Sequence, residues 1–344
     1  MKHSHAHPIG SAPGGPARGG PAPGGPAREV SADLDRRWLS LALALIGTFL
    51  LGEVVVGVLA HSLALLSDAA HQAGDAAAIV LALVAARLAA RPPRAGFTYG
   101  LRRAEILSAQ LNGLTMLLLG GWLAVEAVSR LVHPTAVDGR YVLATAGVGI
   151  VANALATWAL SRANRANLNI HGVYQHLLTD LIALFATAVA GAVIIVTGFV
   201  RADAIATLVA VALLVRAGIG LVLQAGRVFM EAAPAHVDTA ALGRRLAAVP
   251  GVVEVHDLHL WQVTSGYPAL SAHVLVAAGG DCHAVRVDIE ALLQRDYGID
   301  HTTLQVDHVA TGALPDLASE VEAGDPDAHC VDPHGAVYRS TRAA

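Results

Sequence analysis

Ala64-Leu-Leu-Ser-Asp68-Ala-Ala-His71-Gln-Ala-Gly-Asp75-Ala-Ala-Ala-Ile79 lies within an apolar run long enough to cross a bilayer, yet it carries Asp68, His71 and Asp75. On an α-helix His71 and Asp75 are four apart, so their side chains lie one turn from each other on one face. Asp68, three before His71, joins the same stripe. A carboxylate at membrane depth is costly unless it is paired, protonated or bound to a cation. A second apolar run repeats the pattern in Tyr174-Gln-His176-Leu-Leu-Thr-Asp180. Two helices carrying the same pair predict one site built between them.

Composition sets the frame for that site. The 344 residues are 54% hydrophobic and only 15% charged, with a mean hydropathy of +0.53. That profile belongs to a polytopic membrane protein with a soluble appendage. A net charge of −4 gives no reason to expect nucleic acid as a partner. Cys282 and Cys330 are too few and too isolated for a disulfide framework. Seventeen histidines are an excess that points toward metal. The first thirty residues lack the apolar segment of a cleavable signal peptide.

Six apolar stretches, near 38–60, 63–89, 104–132, 140–163, 169–197 and 202–228, each have about the twenty residues a helix needs to span the hydrocarbon. Arg36, Arg37, Arg91, Arg94, Arg162 and Arg165 fall on one side of the array, against Arg130, Arg140 and Arg201 on the other. The positive-inside rule then puts both termini in the cytosol. In that topology His71 and Asp75 lie eight and twelve residues past Leu63 on the second helix. His176 and Asp180 lie seven and eleven past Asn169 on the fifth. At 1.5 Å per residue both pairs are roughly 10–18 Å from opposite faces, so they meet near the midplane.

The flanks divide as follows. Residues 1–35 read as a disordered arm, with His3, His5 and His7 ahead of repeated Gly-Gly-Pro-Ala. Residues 36–229 form the membrane domain. Residues 230–310 read as a cytosolic α+β domain: a helix over 237–248, strands over 252–263 and 269–277, a helix over 281–295 and a strand over 302–308. Residues 311–344 read as a disordered acidic tail, with His329, Cys330 and His334 as soft ligands.

Two imidazoles and two carboxylates make a tetrahedral set suited to Zn2+ and related divalent ions. A divalent cation neutralises the two aspartates; an empty site takes up protons instead, so metal and protons compete for the same groups. The competing reading, polar glue between helices, does not account for two matched pairs at equal depth. Asp68, Glu53 and Asn112 have no role fixed by the pattern. A membrane zinc hydrolase needs an open coordination position and a base, and no His-Glu-x-x-His stretch exists. A metal sensor needs an output module for which the cytosolic domain is too small. The chain reads as a transporter and not an enzyme, with metal as substrate and no cofactor.

Ser67-Asp-Ala-x-His71-x-x-x-Asp75, Phe97-Thr-Tyr-Gly-x-x-Arg-x-Glu105 and His176-x-x-x-Asp180 resemble the cation diffusion facilitator family, over about Arg37 to His308. Its bacterial zinc/cadmium/cobalt resistance branch and zinc-transporter relatives are the most similar. The resemblance implies a homodimer of six-helix protomers, each with a metallochaperone-like, ferredoxin-like cytosolic domain, in a bacterial inner membrane. It implies proton-coupled Zn2+ export, with Cd2+ and Co2+ as further candidates, through His71, Asp75, His176 and Asp180. It also implies a regulatory zinc site in the cytosolic domain at His256, His273, Gln305 and Asp307. There Gln305 stands where some relatives have histidine, and a neutral amide is a weak zinc ligand.

Overall fold

The computed structural model describes residues 26–59, 63–134, 139–309 and 335–340; within these, the side chains of 26–33, 53, 56, 57, 63–71 and 141 are outside the described set. Six long helices come first: α1 (Pro26–Leu59), α2 (Leu63–Ala89), α3 (Ala104–Val132), α4 (Gly139–Ser161), α5 (Leu168–Thr197) and α6 (Arg201–Phe229). Their bounds follow the apolar stretches closely, because the runs of α2 to α6 end in Pro, Gly or charge that cannot continue a buried helix. α1 differs at its start. It begins at Pro26, a residue suited to the first helical position, so helix replaces the expected disorder over 26–35. The expected arm before Pro26, with His3, His5 and His7, lies outside the described residues.

Among the described residues, five of these helices, α2 to α6, contain windows long and apolar enough to cross a membrane. Large side chains such as Leu118, Trp122, Val125 and Val196 stand outward from the bundle. Such a surface suits lipid and would be a liability in water. Inside, Leu39 of α1, Ile79 of α2, Leu160 of α4 and Leu177 of α5 share one core. Ile106 and Met116 of α3 pack with Leu214 and Leu221 of α6 in another. The bundle is thus a four-helix group with the α3–α6 pair set beside it.

Small residues let that pair close. A Cβ on Gly113 would sit 2.9 Å from Val222 Cγ2 and 3.2 Å from the Gly218 carbonyl; one on Gly218 would sit 3.1 Å from the Gly113 carbonyl. The two backbones therefore approach as only glycine allows, which gives van der Waals packing where no hydrophobic effect operates between helices.

The soluble domain follows: α7 (Thr239–Ala247), β1 (Val252–Thr264), β2 (Tyr267–Val276), α8 (Cys282–Tyr297) and β3 (His301–His308). β1 and β2 form an antiparallel hairpin, and β3 returns across α8 to lie parallel to β2. Leu242 and Leu246 of α7 and Ile289 and Leu293 of α8 bury against Val255 and Val274 of the sheet. A fourth strand, β4 (Tyr338–Arg339), pairs with β1, giving the order β3-β2-β1-β4. The expectation of an unstructured tail therefore does not extend to this segment; residues 310–334 lie outside those described.

The hairpin tip meets the membrane domain. Leu168 N–H at the start of α5 donates to Ser265 Oγ at 3.0 Å. The Arg102 guanidinium lies 4.5 Å from the Tyr267 ring centroid, and Tyr99 Oη is 3.3 Å from His301 Nε2. The segment that enters α3 thus docks on the soluble domain.

Replacing Gly218 with valine should push α3 from α6. Overpacking of this kind costs roughly 1–3 kcal/mol. The expected result is a lower unfolding midpoint in detergent for Gly218→Val, with Gly220→Val, whose site is open, close to wild type. Equal midpoints for all three proteins would contradict the close crossing.

Candidate metal centre

α2 and α5 bring their polar residues together inside the bundle. His176 Nε2 lies 2.8 Å from Asp75 Oδ1 on α2 and 3.4 Å from Asp180 Oδ2, one turn along its own helix. Ligand atoms of Asp75, His176 and Asp180 all fall within 4.8 Å of one another. Asp75 is 7% exposed and His176 4%, while Asp180 is partly buried. His176 Nδ1 is buried without a hydrogen-bond partner among the described residues. One imidazole between two carboxylates leaves negative charge that a cation or protons can balance. Two oxygens and a nitrogen converging on one small volume are a divalent-metal donor set.

His71 stands on the α2 backbone one turn before Asp75; its side chain, like that of Asp68, lies outside the described residues, as does that of Glu53 on α1. Asn112 is buried on α3, with its Nδ2 3.4 Å from where a Cβ on Gly172 of α5 would sit. It therefore packs one turn before His176 along α5.

A residue that the sequence pattern does not single out ties the two helices. Asn169 is 2% exposed, and its Nδ2 donates to the Ala82 carbonyl of α2 at 3.0 Å. Its own N–H donates to Asn167 Oδ1 at 2.9 Å, which caps α5. One short polar stretch at the head of α5 thus starts the helix and fixes its distance from α2. An Asn-x-Asn cap is visible in sequence; the partner across the bundle is not.

In the soluble domain His256 and His273 are register partners across β1 and β2, with ring centroids 5.4 Å apart. The carboxylate that joins them is Asp257, with Oδ2 3.5 Å from His273 Nδ1, and not the expected Asp307. In a regular strand Asp257 would face away from His256. An irregularity in the β1–β2 register between His256 and His259, with Asp257 at φ +48°, turns it to the same side. Asp307 pairs in register with Leu275, two places past His273, and accepts a 2.9 Å hydrogen bond from Gln305 Nε2. Gln305 does share with Asp257 and His273 a hollow of about 230 Å³.

Similarity to known proteins agrees with this architecture. Residues 39–230 match the cation efflux transmembrane domain and 234–309 the cation efflux protein cytoplasmic domain. The metal cation efflux system protein CzcD of Cupriavidus metallidurans is 37% identical over 275 residues, covering 79% of this chain and 86% of that one. The zinc transporter ZitB of Escherichia coli is 32% identical over 310 residues, covering 90% and 93%. A cadmium, cobalt and zinc/H(+)-K(+) antiporter of Bacillus subtilis is 31% identical over 278 residues, covering 79% and 89%. A protein whose first two-thirds is an apolar helical bundle with a buried Asp-His-Asp cluster, and whose remainder is a small cytoplasmic α+β domain, belongs to the cation efflux (cation diffusion facilitator) family of membrane metal transporters.

Proposed function

We propose that this chain, as a homodimer, exports Zn2+ from the cytosol in exchange for H+, loading the metal on His71, Asp75, His176 and Asp180. The observation that carries this reading is the 2.8 Å and 3.4 Å approach of His176 Nε2 to Asp75 and Asp180 between α2 and α5. His71, one helical turn before Asp75, completes the set as the second imidazole. The relatives' names support the direction, the exchange and the cargo: one is a metal cation efflux protein, one a cadmium, cobalt and zinc/H(+)-K(+) antiporter and one a zinc transporter. Cd2+ and Co2+ are further cargo on the same grounds.

The exchange follows from charge. Two aspartates inside the bundle hold a divalent cation at neutrality, and a site that releases it outward must regain positive charge before it can face inward again. Protons supply that charge on the same oxygens and nitrogens, so occupancy by metal and by protons is mutually exclusive. Alternating access requires α2 and α5 to present the cluster to one face at a time. The arginine asymmetry supports cytosolic termini and a cytosolic soluble domain, and a bacterial inner membrane suits the company of relatives.

Zn2+ export is tested in proteoliposomes under an imposed pH gradient. Asp180→Ala and His176→Ala should each reduce flux to the protein-free background while the variants stay monodisperse in detergent. Near-wild-type flux from either would sink the site.

In the soluble domain the same reading assigns His256, His273 and Asp257 a weak regulatory zinc site, with Gln305 beside it and Asp307 outside it. Binding to the folded form stabilises by RT ln(1 + [L]/Kd), so a weak site has little effect until zinc is abundant. In full-length protein carrying Asp180→Ala, zinc should raise the unfolding midpoint only above tens of micromolar, and His273→Ala should remove the shift. A shift that survives His273→Ala places the metal elsewhere.

A further inference from the structure

Without β4, β1 would be the free edge of the soluble sheet, a row of main-chain donors and acceptors open to any extended peptide. The chain's own terminus fills that edge by antiparallel pairing: Glu254 lies opposite Arg339 and Val255 opposite Tyr338, and Ser340 N–H donates to the Val253 carbonyl at 2.9 Å. Two side chains fit built features beneath. Tyr338 packs against the domain core, and its ring occupies the space a Cβ on Gly243 of α7 would need. Arg339 Nε lies 3.0 Å from Glu254 Oε2, on a carboxylate whose side chain is 9% exposed. The other oxygen, Oε1, lies 3.1 Å from His256 Nδ1, and Arg339 supplies the permanent counter-charge that a carboxylate buried to this degree needs.

From this the geometry points to a strand-docking groove on the cytosolic domain, formed by the β1 edge and the Gly243 notch of α7, whose ligand is the chain's own segment Ala336–Ser340. Main-chain pairing gives the affinity, and the tyrosine notch and Glu254 give the selectivity. Gly243 is telling because it weakens α7, a nine-residue helix. Alanine is the better helix former at an interior position, so the glycine has a use only if something sits against it. Tyr338 and Ala336 also wall a hollow of about 670 Å³ bounded by Tyr99 and Arg103 of the membrane domain and by Trp261 of β1. The docked segment therefore closes one side of the junction between the two domains, and its release opens both that junction and a sticky sheet edge.

Hydrogen exchange of the full-length protein in detergent tests the groove. Wild type, a deletion of residues 335–344, Tyr338→Ala, Gly243→Ala, and Gly243→Ala in the deletion background are compared over Val253–Val255. Deletion, Tyr338→Ala and Gly243→Ala should each speed exchange there at least tenfold. In the deletion background Gly243→Ala should instead slow exchange in α7, because only the helix-propensity gain remains. Adding the peptide Gly-Ala-Val-Tyr-Arg-Ser to the deletion protein should restore protection, and the same peptide with alanine for tyrosine should not. Unchanged exchange over Val253–Val255 in Tyr338→Ala or in Gly243→Ala overturns the proposal, as does failure of the peptide to restore protection to a folded deletion protein. Tyr338→Ala and Gly243→Ala each alter one residue of an otherwise complete chain, so the proposal stands or falls on them even where the truncated protein does not fold.

Discussion

Asp75 and Asp180 sit on two apolar helices with one imidazole between them, and the packing of α2 against α5 has to accommodate that charge. Carboxylates at that depth are tolerated only with a compensating charge. His176 can balance one of them when it carries a proton, and a divalent cation between them would balance both. A site that is incomplete without a visiting cation is what a carrier needs. A permanently neutral cluster would hold the helices together and carry nothing.

The supporting structure holds α2 and α5 against each other. Asn169 ties the head of α5 to the Ala82 carbonyl, seven residues beyond Asp75 on α2. With the His176–Asp75 contact, that hydrogen bond joins the two helices at two levels. The same end of α5 is bonded through Leu168 to Ser265 at the tip of the β1–β2 hairpin. The start of α3 reaches the same hairpin through Arg102 and Tyr267. The helix that carries His176 and Asp180 is thus in direct contact with the soluble domain. The α3–α6 pair, closed by glycines, packs beside the four-helix group.

How far the sequence reveals this depends on the range of the interaction. The six helices are legible because a twenty-residue apolar run ended by proline, glycine or charge has few other fates. The convergence of His176, Asp180 and Asp75 can be read from a repeated four-residue spacing and matching depth. Asp257 cannot, because its place beside His273 comes from a register irregularity that breaks the two-residue alternation of the strand. β4 escapes a sequence reading for a different reason. Two residues have no periodicity, and Tyr338-Arg339 reads as tail until the Gly243 notch and Glu254 are seen beneath it. Asn169 belongs with these: its cap role is local, but its tie to Ala82 exists only once two distant helices are packed.

The central claim is that the α2–α5 cluster is where the metal sits, with two nitrogens and two carboxylate oxygens around it. X-ray absorption at the zinc edge tests it most directly, on full-length protein carrying His273→Ala so that the soluble domain contributes no signal. The account predicts a four-coordinate first shell at the ordinary Zn–N and Zn–O distances near 2.0 Å, with imidazole backscattering that falls by half in His71→Ala. A six-oxygen hydrated shell, or imidazole scattering unchanged by His71→Ala, would contradict it.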